Sequence, residues 1–112
     1  MDWQSKVKTE FDKAEQARAL GNEGQARVCA RRAAGIAARE YFARLGEPIR
    51  TSSAYDLLHL LADDARLSSE TRQSAGYLTL RVDEEFKLPV NVDLIDEANR
   101  LVNALAAPSR LD

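Results

Sequence analysis

The most chemically reactive side chains in this sequence are one cysteine, Cys29, and one histidine, His59. A thiolate or an imidazole can act as a nucleophile, a general base or a metal ligand, but each role needs partners close in space. One cysteine and one histidine are too few for a structural zinc site. The sequence also lacks a glycine-rich phosphate loop and a Ser-His-Asp arrangement. It therefore predicts no catalytic residue, no metal and no cofactor.

The neighbours of these two residues indicate structural positions. His59 lies in a leucine-rich segment, and a single imidazole there is more often a packed or boundary residue than a catalyst. Cys29 lies in an alanine-rich segment, where a thiol behaves as a small hydrophobic side chain. We therefore predict that Cys29 is buried and that His59 is not a base.

Arginine is the remaining candidate for a ligand-binding side chain, because a guanidinium group binds phosphates and carboxylates. Six arginines lie between Arg27 and Arg50 against Glu40 and Glu47, whereas eleven acids face six bases from Thr51 onward. This asymmetry fits helices of complementary charge, and it also fits a phosphate-contacting surface. The candidate phosphate contacts are Arg27, Arg31, Arg32, Arg39, Arg50 and Arg81.

These residues must be positioned by helices. The chain has 112 residues, 45% of them hydrophobic and 30% charged, which is typical of one helical domain spanning residues 1–112. No apolar run is long enough to cross a bilayer, and the N-terminus lacks the features of a signal peptide, so we expect a cytoplasmic protein without a membrane partner.

Hydrophobic spacing and capping residues predict five helices and no strand, arranged as an all-α up-and-down bundle. The first runs to Leu20 and stops at Gly21, and the second is capped by Asn22 and ends before Gly46 and Pro48. The other three are a helix capped by Ser53 that fades after Ala65, a helix carrying Ala75, Leu78, Val82 and Phe86 that ends before Pro89, and a helix between Asp93 and Pro108.

The second helix has two apolar faces. Its main core face consists of Ala26, Cys29, Ala30, Ala33, Ala37 and Tyr41. On its opposite side Val28, Gly35 and Phe42 recur every seven residues. Either the monomer covers this stripe, for example with its closing helix, or the stripe meets another chain. We predict a homodimer whose interface comprises Val28, Arg31, Arg32, Gly35, Arg39 and Phe42.

The sequence resembles the HEPN superfamily of small helical bundles. The resemblance is carried by "KAEQARALGNEGQARVCARRAAGIAAREYFARLGEPIRTSSAYDLLHLLAD", by Leu78, Leu80 and Arg81, and by "DEANRLVNAL". It implies a bundle that dimerises and a partner of the nucleotidyltransferase type. Some members cut RNA with an arginine followed after four to six residues by a histidine. Here "VDEEFKLP" follows Arg81 without a histidine, so ribonuclease activity is not expected.

The function predicted from the sequence is a non-catalytic HEPN-like interaction module that forms a homodimer and pairs with a nucleotidyltransferase-type protein. Two alternatives stay open. One is a nucleic-acid or nucleotide-binding protein that uses the arginines of the second helix. The other is a single tetratricopeptide-like protein-binding module, since "ARALGNEGQARVCARRAAGIA" is similar to one such helix–turn–helix unit.

Overall fold

A computed structural model describes residues 2–47, 49–81 and 87–106 of the chain. Within these ranges the protein has five helices and no strand, as predicted. The helices are α1 (Trp3–Ala19), α2 (Glu23–Arg44), α3 (Ala54–Ala62), α4 (Ser69–Leu78) and α5 (Leu94–Ala106). None of them combines the length and the apolar character that a membrane span requires.

The predicted capping residues define most of the helix ends. The Asn22 side chain accepts a hydrogen bond from the Gln25 amide at the start of α2, and the Ser53 side chain accepts one from the Asp56 amide at the start of α3. The backbone φ of Gly21 is 79° and that of Gly46 is 73°, a left-handed conformation that favours glycine after a helix. These signals were read correctly from the sequence.

Two helices end earlier than the sequence predicts. Helix α3 ends at Ala62 rather than Ala65, where the Asp64 carboxylate accepts the backbone N–H of Arg66 in a turn. Helix α4 ends at Leu78, and Leu80 and Arg81 follow it in non-helical conformation. Four residues used in the predictions lie outside the described residues: Pro48, Val82, Phe86 and Pro108.

Helix α2 occupies the centre of the bundle. It packs against α1, α3 and α5, and α4 closes the structure by packing against α3 and α5. Small side chains allow these close approaches: Ala26, Ala30, Ala33, Ala34 and Ala38 are all 0% exposed. The larger core side chains come from the surrounding helices and include Leu57, Leu58, Leu61, Leu78, Leu94 and Leu101.

Two arginines, Arg18 and Arg66, each form two ion pairs at the periphery of the bundle, and we call these two groups the clamps. In the first, Arg18 at the end of α1 binds Glu23 at 2.7 Å and Asp93 at 2.9 Å. In the second, Arg66 binds Asp64 at 2.9 Å and Glu47 at 2.6 Å. Hydrogen bonds from Arg18 lower the pKa of Glu23 and of Asp93, because they stabilise the charged carboxylates.

Candidate functional site

One stripe of α2 remains accessible between the helices packed around it. Val28 and Ile36 on this stripe are half-buried, and Arg32 and Arg39 are exposed, at the spacing of one helix face. The beginning of α3 and the residues before it form the opposite wall. We call this surface the arginine groove and define its lining as Glu10, Val28, Arg31, Arg32, Gly35, Ile36, Arg39, Ser52, Ala54, Tyr55 and Leu57.

The groove contains two adjoining cavities that share Arg32, Ser52 and Ala54. The first has a volume of about 220 Å³ and is bordered by Glu10 and Arg39. The second has a volume of about 260 Å³ and is bordered by Val28, Arg31 and Tyr55. Apolar side chains form the floor of both, and arginines stand at the rim. Such a surface suits a ligand that carries apolar and anionic groups together.

Gly35 determines the shape of the groove floor. A Cβ atom at this position would lie 2.9 Å from the Ala54 Cβ and 3.2 Å from the Ala54 Cα, closer than van der Waals contact permits. The absence of a side chain therefore lets the start of α3 lie directly on α2. This contact brings Ser52 and Tyr55 opposite Arg32.

Arg31 is largely buried and binds the end of α4. It is 9% exposed and donates hydrogen bonds to the carbonyl oxygens of Leu78 at 2.9 Å and Leu80 at 2.6 Å. Its guanidinium also lies 5.2 Å from the centre of the Tyr55 ring. Burial lowers the pKa of Arg31. Two of its donor groups thus bind carbonyls at the end of α4, and the contact of Arg31 with phosphate stays a prediction.

The other arginines of the groove are more accessible. Arg39 is exposed and donates to the carbonyl oxygens of Ile49 and Thr51, so it fixes the segment between α2 and α3. Arg32 is exposed and has no hydrogen bond or ion pair within the described part of the chain. Arg32 is therefore the guanidinium that a ligand can bind without displacing an internal contact.

The remaining predicted phosphate contacts are dispersed. Arg81 lies 4.4 Å from the centre of the Tyr55 ring, beside the groove. Arg27 borders a different cavity, which residues 87–92 line from the other side. Arg50 is exposed in the segment before α3. The structure thus brings together Arg32, Arg39 and Arg81 near the groove but places Arg27 away from it.

Two residues of the predicted dimer stripe are covered within the single chain. Phe42 is 4% exposed and belongs to the hydrophobic core, where its ring packs against Tyr41 with centroids 5.2 Å apart. Gly35 is covered by Ala54 of α3, whereas the alternative to a dimer had named the closing helix as a cover. Neither residue presents a surface to a second chain, so the stripe of Val28, Gly35 and Phe42 is not a continuous exposed face.

The two reactive side chains occupy contrasting positions. Cys29 is 1% exposed, which confirms the predicted burial. His59 lies on the exposed side of α3 and is therefore not packed in the core, and the statement that it is not a base stays a prediction. Within residues 2–47, 49–81 and 87–106, no group of three or more His, Cys, Asp or Glu side chains is arranged to hold a metal ion.

Glu10 is a residue of the groove that sequence reasoning missed. Its side chain is 13% exposed, and its Oε2 atom is buried without a hydrogen-bond partner. The signal was present in the sequence, because Glu10 lies three residues after Val7 and four before Ala14, on the inward face of α1. A charged residue on that face is unusual and points to a role beyond solvation.

Comparison of the chain with protein-family models, with curated proteins and with solved structures finds no match.

Proposed function

We propose that this protein is a non-catalytic helical interaction module that binds an acidic segment of a partner protein in the arginine groove. The observation that carries the proposal is the combination of an apolar floor with the exposed, unpaired Arg32 at the rim. Carboxylates of a partner would pair with the rim while apolar side chains fill the floor. Such complementarity provides both specificity and affinity.

The character of Tyr55 supports a protein ligand over a nucleic acid. Single-stranded nucleic acids bind to surfaces that combine basic groups with free aromatic faces. Tyr55 is the aromatic residue of the groove, and Arg31 and Arg81 already lie over its ring at 5.2 Å and 4.4 Å.

The charge of the groove supports a different chain as the partner over a second copy. A two-fold axis through the groove would place Arg32 and Arg39 of one copy against the same residues of the other. Like charges at such a contact oppose association. The resemblance to HEPN domains supports a nucleotidyltransferase-type protein as this partner.

The proposal can be tested with a labelled amphipathic peptide of about four helical turns that carries leucine on one face and glutamate on the other. We expect its fluorescence anisotropy to rise on titration with the protein, and the affinity to fall with increasing salt. Arg32→Glu should weaken binding on the order of tenfold or more, because it replaces the attraction at the rim by repulsion. Arg32 has no hydrogen bond or ion pair within residues 2–47, 49–81 and 87–106, so the fold should be unchanged.

A matched control separates this local effect from the change in net charge. Lys8→Glu makes the same change on the side of α1 opposite Glu10, at a residue that is 76% exposed and borders a different cavity, and should leave peptide affinity nearly unchanged. A single-stranded RNA and a lysine version of the peptide complete the series. Tighter binding of the RNA, or equal weakening by both variants, would contradict a groove specific for an acidic protein segment.

A further inference from the structure

The carboxylate of Glu10 lacks the hydrogen bonds that a buried charged group requires. Its Oε2 atom has no partner, and its Oε1 atom forms only a 3.6 Å ion pair with Lys13, whose side chain is 55% exposed. Buried polar atoms in folded proteins are almost always paired, because leaving one unpaired forfeits its hydration. The Glu10 side chain borders the first cavity of the groove, and its unused acceptor becomes available to a ligand there when the side chain turns toward the cavity.

The same cavity holds cationic groups that do not neutralise Glu10. Arg32 and Arg39 border it together with Ser52, yet neither arginine forms an ion pair with Glu10 in the described part of the chain. Arg39 donates instead to backbone carbonyls. An acceptor and two guanidinium groups thus surround one cavity of about 220 Å³ without bonding to each other.

We propose that this cavity binds a small molecule that joins an ammonium group to a carboxylate, as a free α-amino acid does. The ligand's ammonium group would donate to Glu10, and its carboxylate would accept from Arg32 and Ser52. The apolar floor of Gly35, Ile36, Ala54 and Leu57 would receive the ligand's side chain. A cavity of about 220 Å³ is smaller than a typical drug-sized pocket, which restricts the ligand to a compact metabolite.

This ligand would regulate the docking of a protein partner. The cavity shares Arg32, Ser52 and Ala54 with the neighbouring half of the groove, so a bound amino acid and an acidic peptide compete for Arg32. The regulatory part of the inference rests on the proposed function, whereas the small-molecule site itself does not.

The test is a thermal-shift screen of the full-length protein with each proteinogenic amino acid, with glucose 6-phosphate and with inorganic phosphate. We expect at least one amino acid to bind, to shift the amide NMR signals of Gly35 and Ala54, and to bind at least about tenfold more tightly than inorganic phosphate, which presents no ammonium group. Glucose 6-phosphate distinguishes a hydroxyl donor from an ammonium donor, and stronger binding of it would overturn the amino-acid assignment.

Variants assign the contacts. Glu10→Gln should weaken the amino acid about tenfold or more and leave inorganic phosphate unaffected, whereas Arg32→Ala should weaken both. Glu15→Gln, an exposed change on the same helix, is the matched control and should weaken neither. Circular dichroism of each variant verifies the fold.

The outcome also separates this inference from the proposed function. Failure of every amino acid to bind, or full binding by Glu10→Gln, would overturn the small-molecule site. The acidic peptide would still bind in that case if the docking proposal is correct. Binding of an amino acid without any binding of the peptide would support the small-molecule site and contradict the docking proposal.

Discussion

The clamps and the arginine groove use the same side chain in opposite ways. In the clamps, Arg18 and Arg66 each pair with two carboxylates and join segments that are distant in the sequence. In the groove, Arg32 has no carboxylate partner within the described residues, although the carboxylate of Glu10 borders the same cavity. Arginines of the first kind hold the fold together, and an arginine of the second kind remains available to a ligand.

The difference lies in the acceptors that each region supplies. The clamps contain four carboxylates that lie at or near the ends of helices, within ion-pair distance of the two guanidinium groups: Glu23, Asp93, Asp64 and Glu47. Within the described residues, Arg31 and Arg39 of the groove donate hydrogen bonds to backbone carbonyls, which neutralise no charge. The positive charge of the groove therefore persists in the folded protein, so an anionic ligand gains from it.

Arg31 and Arg32 give the largest contrast between a structural and an available arginine. Arg31→Met should destabilise the protein by about 2–4 kcal/mol, because it leaves the carbonyls of Leu78 and Leu80 without their donor. Arg32→Met should change the free energy of unfolding by less than about 0.5 kcal/mol, since Arg32 is exposed and unpaired. Urea denaturation followed by circular dichroism measures both values.

The same two variants should rank in the reverse order when their affinity for the acidic peptide is measured. Arg32→Met should weaken the acidic peptide, whereas Arg31→Met, where folded, should retain most of the peptide affinity. Equal stability of the two variants would show that the hydrogen bonds of Arg31 contribute nothing to the fold, and the distinction between the two arginines would then fail.

Local sequence signals were sufficient to predict the helices. Asn22 and Ser53 accept the amide hydrogen bonds expected of N-caps, and Gly21 and Gly46 have the backbone conformation expected after a helix. Each signal depends on atoms within four residues, so a short stretch of sequence is enough to predict it. The all-helical architecture and the burial of Cys29 followed in the same way.

The groove depended on distant contacts and could not be predicted in this way. Adjacent residues on a helix point about 100° apart, so the identical letters of Arg31 and Arg32 conceal one buried and one exposed side chain. The repeat of Val28, Gly35 and Phe42 suggested a surface, but α3 covers Gly35 and the core contains Phe42. Which helix covers a given face is decided by packing across the bundle, not by spacing along one helix.

Gly35→Ala tests whether the floor of the groove requires a glycine. The added Cβ would lie 2.9 Å from the Ala54 Cβ, and relief requires α3 to move. We expect a net destabilisation of about 1–2 kcal/mol, because overpacking outweighs the better helix propensity of alanine. Weaker binding of the acidic peptide should accompany it, since the walls of the groove move apart.

Gly76→Ala in α4 is the matched control for this substitution. A Cβ atom at Gly76 would meet nothing within 4 Å, so only the helix propensity changes. This variant should be as stable as the natural sequence or more stable by up to about 1 kcal/mol. Stabilisation of both variants in urea denaturation would show that α3 has room to shift without cost.

A small effect on stability is expected at the Arg18 clamp, where water screens the charges. The side chains of Arg18, Glu23 and Asp93 are 32%, 42% and 39% exposed, so Arg18→Gln should cost only about 0.5–1 kcal/mol near neutral pH. Lys8→Gln is the control, because Lys8 forms a single pair with Asp12 and is 76% exposed. Its cost should be smaller still.

The pH dependence identifies the clamp as the source of that energy. Arg18 lowers the pKa of Asp93 and of Glu23 below their ordinary values of 3.8 and 4.5, so both carboxylates are more acidic in the folded than in the unfolded chain. A lowered pKa stabilises the fold at pH values above the ordinary value, and this stabilisation disappears as the pH falls through the lowered value. The difference between the natural protein and Arg18→Gln in urea denaturation should therefore be constant from neutral pH down to about pH 5 and shrink below it. If the difference in unfolding free energy persists in strong acid, it comes from the packing of the aliphatic part of Arg18. The ion pairs of the clamp would then contribute little to stability.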